Sequence, residues 1–429
     1  MKSSLLFRGN KEKKGKKKRT KGGIFSFQGA IFTVFLSFLS PFLHSSFSQT
    51  LSPQSKASLI TVAPGDDLYS SFGHTAIWIS DPLYGIDRVY NYGTFDFRTG
   101  NFYIKFLRGT LPYILSVYEM PRMVYGSQLE NRSVKEQVLN LSAAQRQRLF
   151  TLLETNALPE NREYRYKFYY DNCATRPRDM IARACADSLR FPNVVDSTRS
   201  YRDWMNDYLT RQPWARMGMN LGIGYPADEK TSSWEAMYLP DNVFIEAERA
   251  QLKTADGGTT PLVSSSQFLF RAVTVEESNA FLTYLLSPDF VFAALLVVVF
   301  LITRRQQKQQ SRGVWLDRWL FGFSGVWGWF LVFLWFFTDH GVTTWNPAVL
   351  FLMPLHVPLV FWVTGRGSRQ AIRTYFLLTM IGLVAFFLYA FAQDYLYGFN
   401  FFLLTLLYRA FYQYRFAATQ TEQPTYAQS

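Results

Sequence analysis

The stretch Asp171-Asn172-Cys173-Ala174-Thr175-Arg176-Pro177-Arg178-Asp179 decides how the middle of the chain folds. Proline is tolerated only in the first turn of a helix, where its missing N–H would have no partner, so Pro177 predicts a helix capped at about residues 174–176. Apolar side chains then recur at helical spacing, at Met180, Ile181, Ala184, Cys185 and Leu189. The sequence therefore places Cys173 beside free backbone N–H groups at the positive end of a helix dipole.

Cys173 has the surroundings of a reactive thiol, because the helix start and the nearby Arg176 and Arg178 favour the thiolate. A cysteine in a capping region can also be inert, so position alone leaves that alternative open.

The other alternative for Cys173 is a disulfide to Cys185. Twelve helical positions separate the two by roughly 18 Å, whereas a disulfide needs Cα atoms within about 7 Å. Cys185 is therefore predicted to be a small core residue.

Outward from this helix, the N-terminal segment indicates export. Residues 1–23 hold ten Lys or Arg and one acid, an apolar stretch covers 24–43, and Ser46-Phe47-Ser48 is typical of a signal peptidase site. Residues 1–48 are predicted to be a signal peptide or an N-terminal anchor, and both place residue 50 outside the cytoplasm. Since the basic run accounts for most of the net charge of +13, a nucleic-acid partner is not expected.

The rest of the chain divides into a polar part and an apolar part. Residues 49–280 contain no apolar run long enough to cross a bilayer and are predicted to form the exported domain. Residues 281–413 are predicted to form a membrane domain of about five spans, at 285–303, 314–337, 348–363, 374–392 and 396–411. Residues 414–429 are predicted to be a cytoplasmic tail.

Loop charges support this topology independently of hydropathy. Loops 304–312 and 364–373 carry Lys or Arg and no acid, whereas the loops around His340 and Asp394 carry no Lys or Arg. Basic loops stay in the cytoplasm, so the exported domain and the loop at His340 are predicted to share the outer side of the membrane.

The exported domain shows the pattern of a mixed α+β fold. Residues 75–79 and 86–92 are strand-like and flank a turn, which predicts a hairpin directly after His74. Ser142 and Gln145 form a capping-box pattern that begins a helix, and Pro159 ends it. An extended segment, 164–170, then leads to Cys173.

His74 is the histidine that could serve a thiol nucleophile as base. Of the four histidines, His44 lies in the export segment, His356 in an apolar span and His340 in an outward loop. A lone histidine is usually structural, but this one is the sole candidate partner for Cys173 in the exported domain. No metal-ligand spacing, Gly-x-Ser-x-Gly elbow, Walker loop or Rossmann glycine pattern appears, so neither a metal nor a cofactor is expected.

Four segments of the exported domain carry a resemblance to a known family: Ser71-Phe72-Gly73-His74-Thr75-Ala76-Ile77-Trp78, Tyr90-Asn91-Tyr92-Gly93-Thr94-Phe95, residues 171–179, and residues 222–241 with Asp228, Glu235, Met237 and Leu239-Pro240-Asp241. Over roughly residues 64–241 the domain resembles the N-terminal periplasmic domain of the Lnb family of lipoprotein N-acyltransferases. The order of His first and Asn-Cys later is also that of circularly permuted NlpC-type papain-like folds. The resemblance implies an α+β, permuted papain-like periplasmic domain followed by an α-helical membrane domain, in the inner membrane of a bacterium.

The resemblance also implies a reaction. The Cys173 thiolate would attack an ester carbonyl of a membrane phospholipid, with His74 as base and then as acid, and the resulting thioester would acylate the N-terminal amine of a lipoprotein. Backbone N–H groups at the helix start would hold the oxyanion. Pairing across the hairpin places residues 91–94 opposite His74, so Asn91 is predicted to orient the histidine.

Further residues are predicted to contact substrate: Asn172, Arg176, Asp228, His340 and Asn346. The last two lie in the outward loop 339–346, where Trp345 is a residue type that favours head-group depth. This loop is expected to bind the donor's phosphate or to position the acceptor amine. The alternative is an ordinary wet connection.

Two other functions stay open at this point. A membrane-tethered cysteine peptidase or amidase acting on peptidoglycan would use the same fold, and a non-catalytic binding module would leave Cys173 and His74 as coincidences. A transferase is expected to present an apolar groove, and the aromatic residues near the motifs are Phe72, Trp78, Phe95, Phe97, Phe102 and Tyr103. An ordinary core is aromatic as well, so this pattern decides little.

Overall fold

The strands of the exported domain position the candidate catalytic residues. The structure, a computed structural model, describes residues 49–96, 98–273, 280–393 and 396–419. The predicted signal or anchor segment, Phe97, Asp394 and the end of the predicted tail lie outside the described residues. The strands are β1 (Lys56–Val62), β2 (His74–Asp81), β3 (Ile86–Thr94), β4 (Pro112–Tyr118), β5 (Val134–Leu139), β6 (Glu163–Arg165), β7 (Leu189–Arg190), β8 (Gln251–Lys253), β9 (Thr259–Pro261) and β10 (Val263–Phe270).

Within the described residues, seven of these strands form one antiparallel sheet in the order β10-β5-β1-β2-β3-β4-β6, and β7, β8 and β9 form a second sheet. The hairpin predicted after His74 is confirmed, since β2 pairs with β3 and Ile77 lies opposite Tyr90. Extending this register brings the start of β2, with His74, next to the end of β3.

Helices of the exported domain cover both faces of the large sheet. They are α1 (Phe102–Leu107), α2 (Met120–Leu129), α3 (Ala143–Ala157), α4 (Thr175–Cys185), α5 (Tyr201–Tyr208), α6 (Pro213–Gly222), α7 (Ser233–Ala236) and α8 (Pro240–Arg249). Because side chains alternate along a strand, Leu59 of β1 packs with α3 and α4 on one face, while Ile60 packs with α2 on the other. The central strands are therefore buried on both sides, which holds the site rigidly.

Local signals in the sequence predicted two of these helices well. Ser142 and Gln145 form the capping box of α3, which ends at Ala157 before Pro159. Helix α4 begins at Thr175 with Ala174 as its cap, as Pro177 predicted. The extended segment is shorter than expected, because the backbones of Lys167 and Asp171 hydrogen-bond to each other and close a turn. That turn brings Cys173 back towards the sheet.

The C-terminal part is helical. Its helices are α9 (Ala280–Leu285), α10 (Pro288–Lys308), α11 (Val314–Phe336), α12 (His356–Gly365), α13 (Arg369–Ala392) and α14 (Asn400–Thr419). Among the described residues, α11 and α13 are long and apolar enough to cross a membrane. The apolar block at 348–363 is not one helix: it holds a 3-10 turn, Pro347–Leu350, followed by α12. Pro354 interrupts it, and the ten residues of α12 span only about 15 Å. The count of five spans stays a prediction.

A buried ion pair joins three of these helices. The Arg409 guanidinium in α14 donates to Asp317 in α11 at 2.5 Å and to Thr303 in α10 at 3.0 Å, and neither charged side chain is exposed. A charge inside an apolar helix bundle is tolerated only when it is paired and hydrogen-bonded. This pair therefore fixes how α10, α11 and α14 sit against one another.

Candidate active site

Asn172 builds the turn that presents Cys173. Its Oδ1 accepts hydrogen bonds from the backbone N–H groups of Ala174 and Thr175 at 2.8 and 2.9 Å. Its Nδ2 donates to the carbonyl oxygens of Phe168 and Tyr238 at 2.7 and 2.9 Å. The amide is buried and fully used by these bonds, so Asn172 positions the cysteine at the start of α4.

Gly93 allows the cysteine to approach the sheet. The backbone at Gly93 has a φ of +96°, and a Cβ at this position would lie 3.4 Å from Cys173 Cβ and 3.8 Å from His74 Cε1. Any other residue would be strained in this backbone conformation, although its Cβ would make only ordinary van der Waals contact with the two side chains. Glycine therefore suits the backbone at the end of β3, where Cys173 and His74 lie against it.

His74 is held by a chain of hydrogen bonds that ends on β4. His74 Nε2 lies 2.5 Å from Asn91 Oδ1, and Asn91 Nδ2 donates to Tyr118 Oη at 2.5 Å. Because an amide oxygen can only accept a hydrogen bond, His74 Nε2 carries the proton that Asn91 Oδ1 accepts. His74 Nδ1 is then the ring nitrogen available to the Cys173 sulfur. Asn91 thus makes the contact that hairpin pairing predicted, while its role in catalysis stays a prediction.

The charges at the site favour a thiolate and an imidazolium. Burial alone would raise the pKa of Cys173, but the charge and hydrogen bond of His74, the Thr75 backbone N–H and the Tyr166 hydroxyl together hold that pKa below its ordinary value. Burial alone would lower the pKa of His74, but the charge of the Cys173 thiolate and the hydrogen bonds that the imidazolium donates to Cys173 and Asn91 raise it. Cys185 is different, since burial raises the pKa of its thiol to about 11.

The two cysteines therefore lie in different surroundings and are not bonded to each other. Both are free thiols, so the structure contains no Cys173–Cys185 disulfide. Cys185 lies in the main core against α3, as its helical spacing predicted. Among the described residues, no group of three or more His, Cys, Asp or Glu side chains could hold a metal ion.

Cys173 and His74 lie in the wall of a large cavity. Its volume is about 1320 Å³, and His74, Asn91 and Cys173 lie in its wall. Most of the remaining lining is apolar or aromatic and includes Val62, Leu68, Phe72, Phe95, Phe102, Tyr103, Phe106, Tyr113, Leu115 and Met219. Trp78, which the sequence placed among the aromatic candidates, instead donates a hydrogen bond to Asp87 outside this cavity.

Two of the predicted substrate contacts lie outside the cavity wall because they hold the fold together. Arg176 pairs with Asp171 at 2.6 Å and stacks its guanidinium 3.6 Å from the centre of the Tyr164 ring. Asp228 forms a buried ion pair with Arg202 at 2.5 Å. It also accepts a hydrogen bond at 2.5 Å from Tyr389 of the membrane helix α13.

His340 and Asn346 join the outward loop to the exported domain. His340 Nε2 donates to the Leu107 carbonyl at 3.0 Å, and Asn346 Nδ2 donates to the Leu221 carbonyl at 2.8 Å. Neither side chain lines the cavity. The outward loop therefore does lie next to the domain, but through docking contacts with α1 and α6.

The Asp228 network gives a prediction about stability. Asp228→Asn would leave the Arg202 guanidinium buried without its carboxylate, and we expect a loss of about 3 kcal/mol in the free energy of unfolding. Tyr389→Phe removes one neutral donor and should cost about 1 kcal/mol. Thermal unfolding in detergent would measure both. The exposed carboxylate in Asp96→Asn is the matched control and should leave the unfolding midpoint unchanged.

Sequence reasoning missed two tyrosines of the site. Tyr118 contacts Asn91 across the pairing of β3 with β4, so no spacing along the chain indicates it. The Tyr166 hydroxyl helps to hold the pKa of Cys173 down, and Tyr166 follows β6 in the alternating aromatic segment. That alternation signalled an extended segment, but not which ring would face the cysteine.

A second prediction concerns the orientation of His74. Because Asn91 holds the imidazolium, Asn91→Ala should lower activity by about 10- to 100-fold. It should also lower the pKa of His74, which moves the falling limb of the pH–rate profile to lower pH. Tyr118→Phe should shift that limb in the same direction but by less, because it removes only the hydrogen bond to the Asn91 amide and leaves Asn91 next to His74. Asn140→Ala, an exposed asparagine, is the control; an unshifted limb in Asn91→Ala would remove Asn91 from this role.

Comparison with known protein families identifies both halves of the chain. The model of the Lnb N-terminal periplasmic domain matches residues 44–206, and that of the Lnb transmembrane domain matches residues 277–421. No curated protein and no solved structure matches the chain. The matches agree with a sheet-rich α+β domain followed by a helical part, and together they cover well over half of the sequence. The chain therefore belongs to the Lnb family and is a membrane protein with a periplasmic domain.

Proposed function

We propose that this protein moves an acyl chain from a membrane phospholipid, through a thioester on Cys173, to the N-terminal amine of a bacterial lipoprotein. The observation that carries the proposal is the grouping of Cys173, its partner His74 and the Asn91 side chain that hydrogen-bonds to His74, all at the wall of a large, mostly apolar cavity. A cavity of about 1320 Å³ exceeds the roughly 300–1,000 Å³ of ordinary small-molecule sites and suits a long acyl chain.

In the first half-reaction the Cys173 thiolate attacks the ester carbonyl carbon, and a C–S bond replaces the C–O bond. The lyso-lipid leaves as it takes the proton from the His74 imidazolium. Asn172 already holds the N–H groups of Ala174 and Thr175, so the backbone N–H of Cys173 is our candidate donor to the oxyanion. Asn172 acts here by positioning the sulfur.

In the second half-reaction the lipoprotein amine attacks the thioester carbon. Neutral His74 now accepts a proton from the amine, the C–S bond breaks, and the sulfur leaves as a thiolate stabilised by the imidazolium. An amide forms and the starting ion pair is restored. Thioesters react readily with amines, which accounts for a cysteine rather than a serine at this position.

The membrane domain supports this choice of substrates. Both the donor ester and the acceptor amine lie at the outer surface of the bilayer, so a tethered catalytic domain meets them at high effective concentration. We place the protein in the inner membrane as a multi-pass chain, with a permuted papain-like domain in the periplasm. In this proposal Arg176, Asp228, His340 and Asn346 act through folding and docking of that domain.

The topology gives a prediction of its own. Reporter fusions after Gly313 and after Arg415 should report a cytoplasmic location, and fusions near Gly341 and Tyr397 a periplasmic one. The reason is that basic residues cluster only in the loops predicted to be cytoplasmic. Paired reporters, one active on each side of the membrane, would measure this. One clear reversal would overturn the five-span arrangement.

Mass spectrometry of a lipoprotein's N-terminus tests the proposed function in cells. A strain that lacks its own N-acyltransferase should carry a free α-amino group on its lipoproteins, and expression of this protein should add one acyl chain as an amide. The Cys173→Ser variant at equal membrane level is the control. Unchanged lipoproteins together with released peptidoglycan stem peptides would instead support the peptidase or amidase alternative.

A further inference from the structure

Helix α1 presents an apolar face to the outside of the protein. Tyr103 is 81% exposed, Ile104 60%, Phe106 56% and Leu107 40%. Residues at positions i, i+1, i+3 and i+4 lie on one side of a helix, so these four side chains form a single surface. The helix contains no acidic residue, and the exposed Arg108 follows it directly. An interfacial helix of a membrane-bound protein has this composition.

Contacts with the membrane domain fix the depth of α1. The Leu107 carbonyl accepts a hydrogen bond from His340 Nε2 at 3.0 Å, and the Arg108 carbonyl accepts one from the Asp339 backbone N–H at 2.8 Å. Asp339 comes three residues after the last residue of α11, which is long and apolar enough to span a membrane. The end of α1 therefore lies at the level where α11 leaves the bilayer.

Aromatic side chains mark the same level on the membrane domain. Phe336 and Phe337 at the end of α11 are exposed, and so is Trp345 in the outward loop. Aromatic residues of this kind collect at the boundary between acyl chains and head groups. The exposed face of α1 and these aromatic residues therefore lie at the same end of α11.

Helix α1 also borders the catalytic cavity. Phe102, Tyr103 and Phe106 line the cavity that also contains Cys173. Phe102 is buried and packs against Phe95, so this side of the helix is anchored to the domain. Tyr103 and Phe106 are both exposed and part of the cavity wall, so the exposed face of α1 adjoins the edge of the cavity.

We propose that α1 inserts its apolar face into the outer surface of the lipid bilayer and forms the mouth through which a phospholipid acyl chain enters the Cys173 cavity. Insertion rests on the exposed face and its depth alone. Entry of the chain rests on the proposed function. The occupant of this surface is the lipid of the membrane that holds the protein.

Photocrosslinking tests the insertion without any activity. The photoreactive residue p-benzoylphenylalanine would replace Ile104 in one sample of the full chain and Leu83 in another, in vesicles of phosphatidylethanolamine and phosphatidylglycerol. Leu83 is equally exposed, at 60%, but lies in the hairpin turn, some seven strand residues or about 23 Å from the site, and neither residue lines the cavity. Lipid adducts should be at least fivefold more abundant at position 104; equal or fewer adducts there would overturn the insertion.

Acylation of Cys173 tests the role of α1 as a mouth. The variant Ile104→Ser/Leu107→Ser changes the exposed face but no residue of the cavity wall, and Leu83→Ser/Tyr84→Ser is the matched control. We expect the first variant to lose at least tenfold in acylation by vesicle phospholipid and to keep its acylation by the soluble ester p-nitrophenyl butyrate. The control should keep both.

The outcomes separate the two proposals. Unchanged vesicle acylation in Ile104→Ser/Leu107→Ser would overturn the mouth, and equal loss with both esters would assign α1 to the integrity of the site instead. Failure of the unaltered protein to accept any phospholipid acyl chain would overturn the proposed function and with it the mouth. The crosslinking ratio would still decide whether α1 inserts.

Discussion

Cys173→Ser should lower acyl transfer by a thousandfold or more, on the order of what loss of a nucleophile costs enzymes that use one. A serine hydroxyl is hardly ionised at neutral pH, and His74 cannot stabilise it as it stabilises the thiolate. Transfer would be measured with purified protein, phospholipid vesicles and a diacylglyceryl-cysteine peptide.

Cys185→Ser is the matched control for this loss. Cys185 lies at the other end of the same helix, buried in the core, with a thiol whose pKa is raised rather than lowered. We expect full activity per folded molecule in this variant, with at most a modest loss of stability. Near-normal transfer by Cys173→Ser would remove the cysteine from the proposed mechanism.

His74→Ala should lower transfer by about 10²- to 10⁴-fold, the usual contribution of a general acid and base. It should also change the reactivity of Cys173 towards iodoacetamide, measured as a rate against pH in a Cys185→Ser background. The charge and hydrogen bond of His74 hold the pKa of Cys173 down, while burial would raise it. Without the histidine, the rise in alkylation rate should therefore move to higher pH.

The sign of this pH dependence follows from the ion pair. The thiolate is present above the lowered pKa of Cys173, and the imidazolium is present below the raised pKa of His74. The first half-reaction needs both, so its rate should be highest between the two values and fall on either side. An alkylation profile that is the same with and without His74 would contradict the ion pair.

Local signals explain why the centre of the site could be predicted from the sequence. Pro177 fixes where α4 begins, and the strand pattern after His74 fixes the hairpin, so both ends of the Cys173–His74 contact have a cause within a few residues. Pairing across the same hairpin brought Asn91 to His74. Since His74 is the one histidine of the sequence within the predicted exported domain, it could be paired with Cys173 although the two lie in separate segments.

The remaining contacts depend on distant parts of the chain. Asp228, which the family resemblance predicted to contact substrate, accepts hydrogen bonds from Arg202 and Tyr389. Tyr389 lies 161 positions further along the chain, so no local pattern indicates this contact. His340 likewise bonds to α1 across 233 positions. Hydropathy marks an apolar block but gives no sign that it bends, which is why residues 348–363 were predicted as one span.

The docking of the two halves has a consequence for catalysis. Asn346 and His340 hold α6 and α1 against the membrane domain, and Met217 and Leu221 of α6 pack into the core of its helices. These contacts hold the domain that contains the cavity against the helical part, which includes the candidate membrane spans. In the proposed function, this arrangement would let the protein take its acyl donor from the membrane surface.

The most direct test follows one acyl chain through the protein. Purified protein would be mixed with phospholipid that carries an isotope-labelled acyl chain, and then with a diacylglyceryl-cysteine peptide. Intact-protein and peptide mass spectrometry should first detect the labelled chain as a hydroxylamine-sensitive thioester on Cys173, and then as an amide on the peptide with one lyso-phospholipid released per transfer. A labelled peptide without any thioester on Cys173, or labelled free fatty acid in place of the amide, would contradict the account.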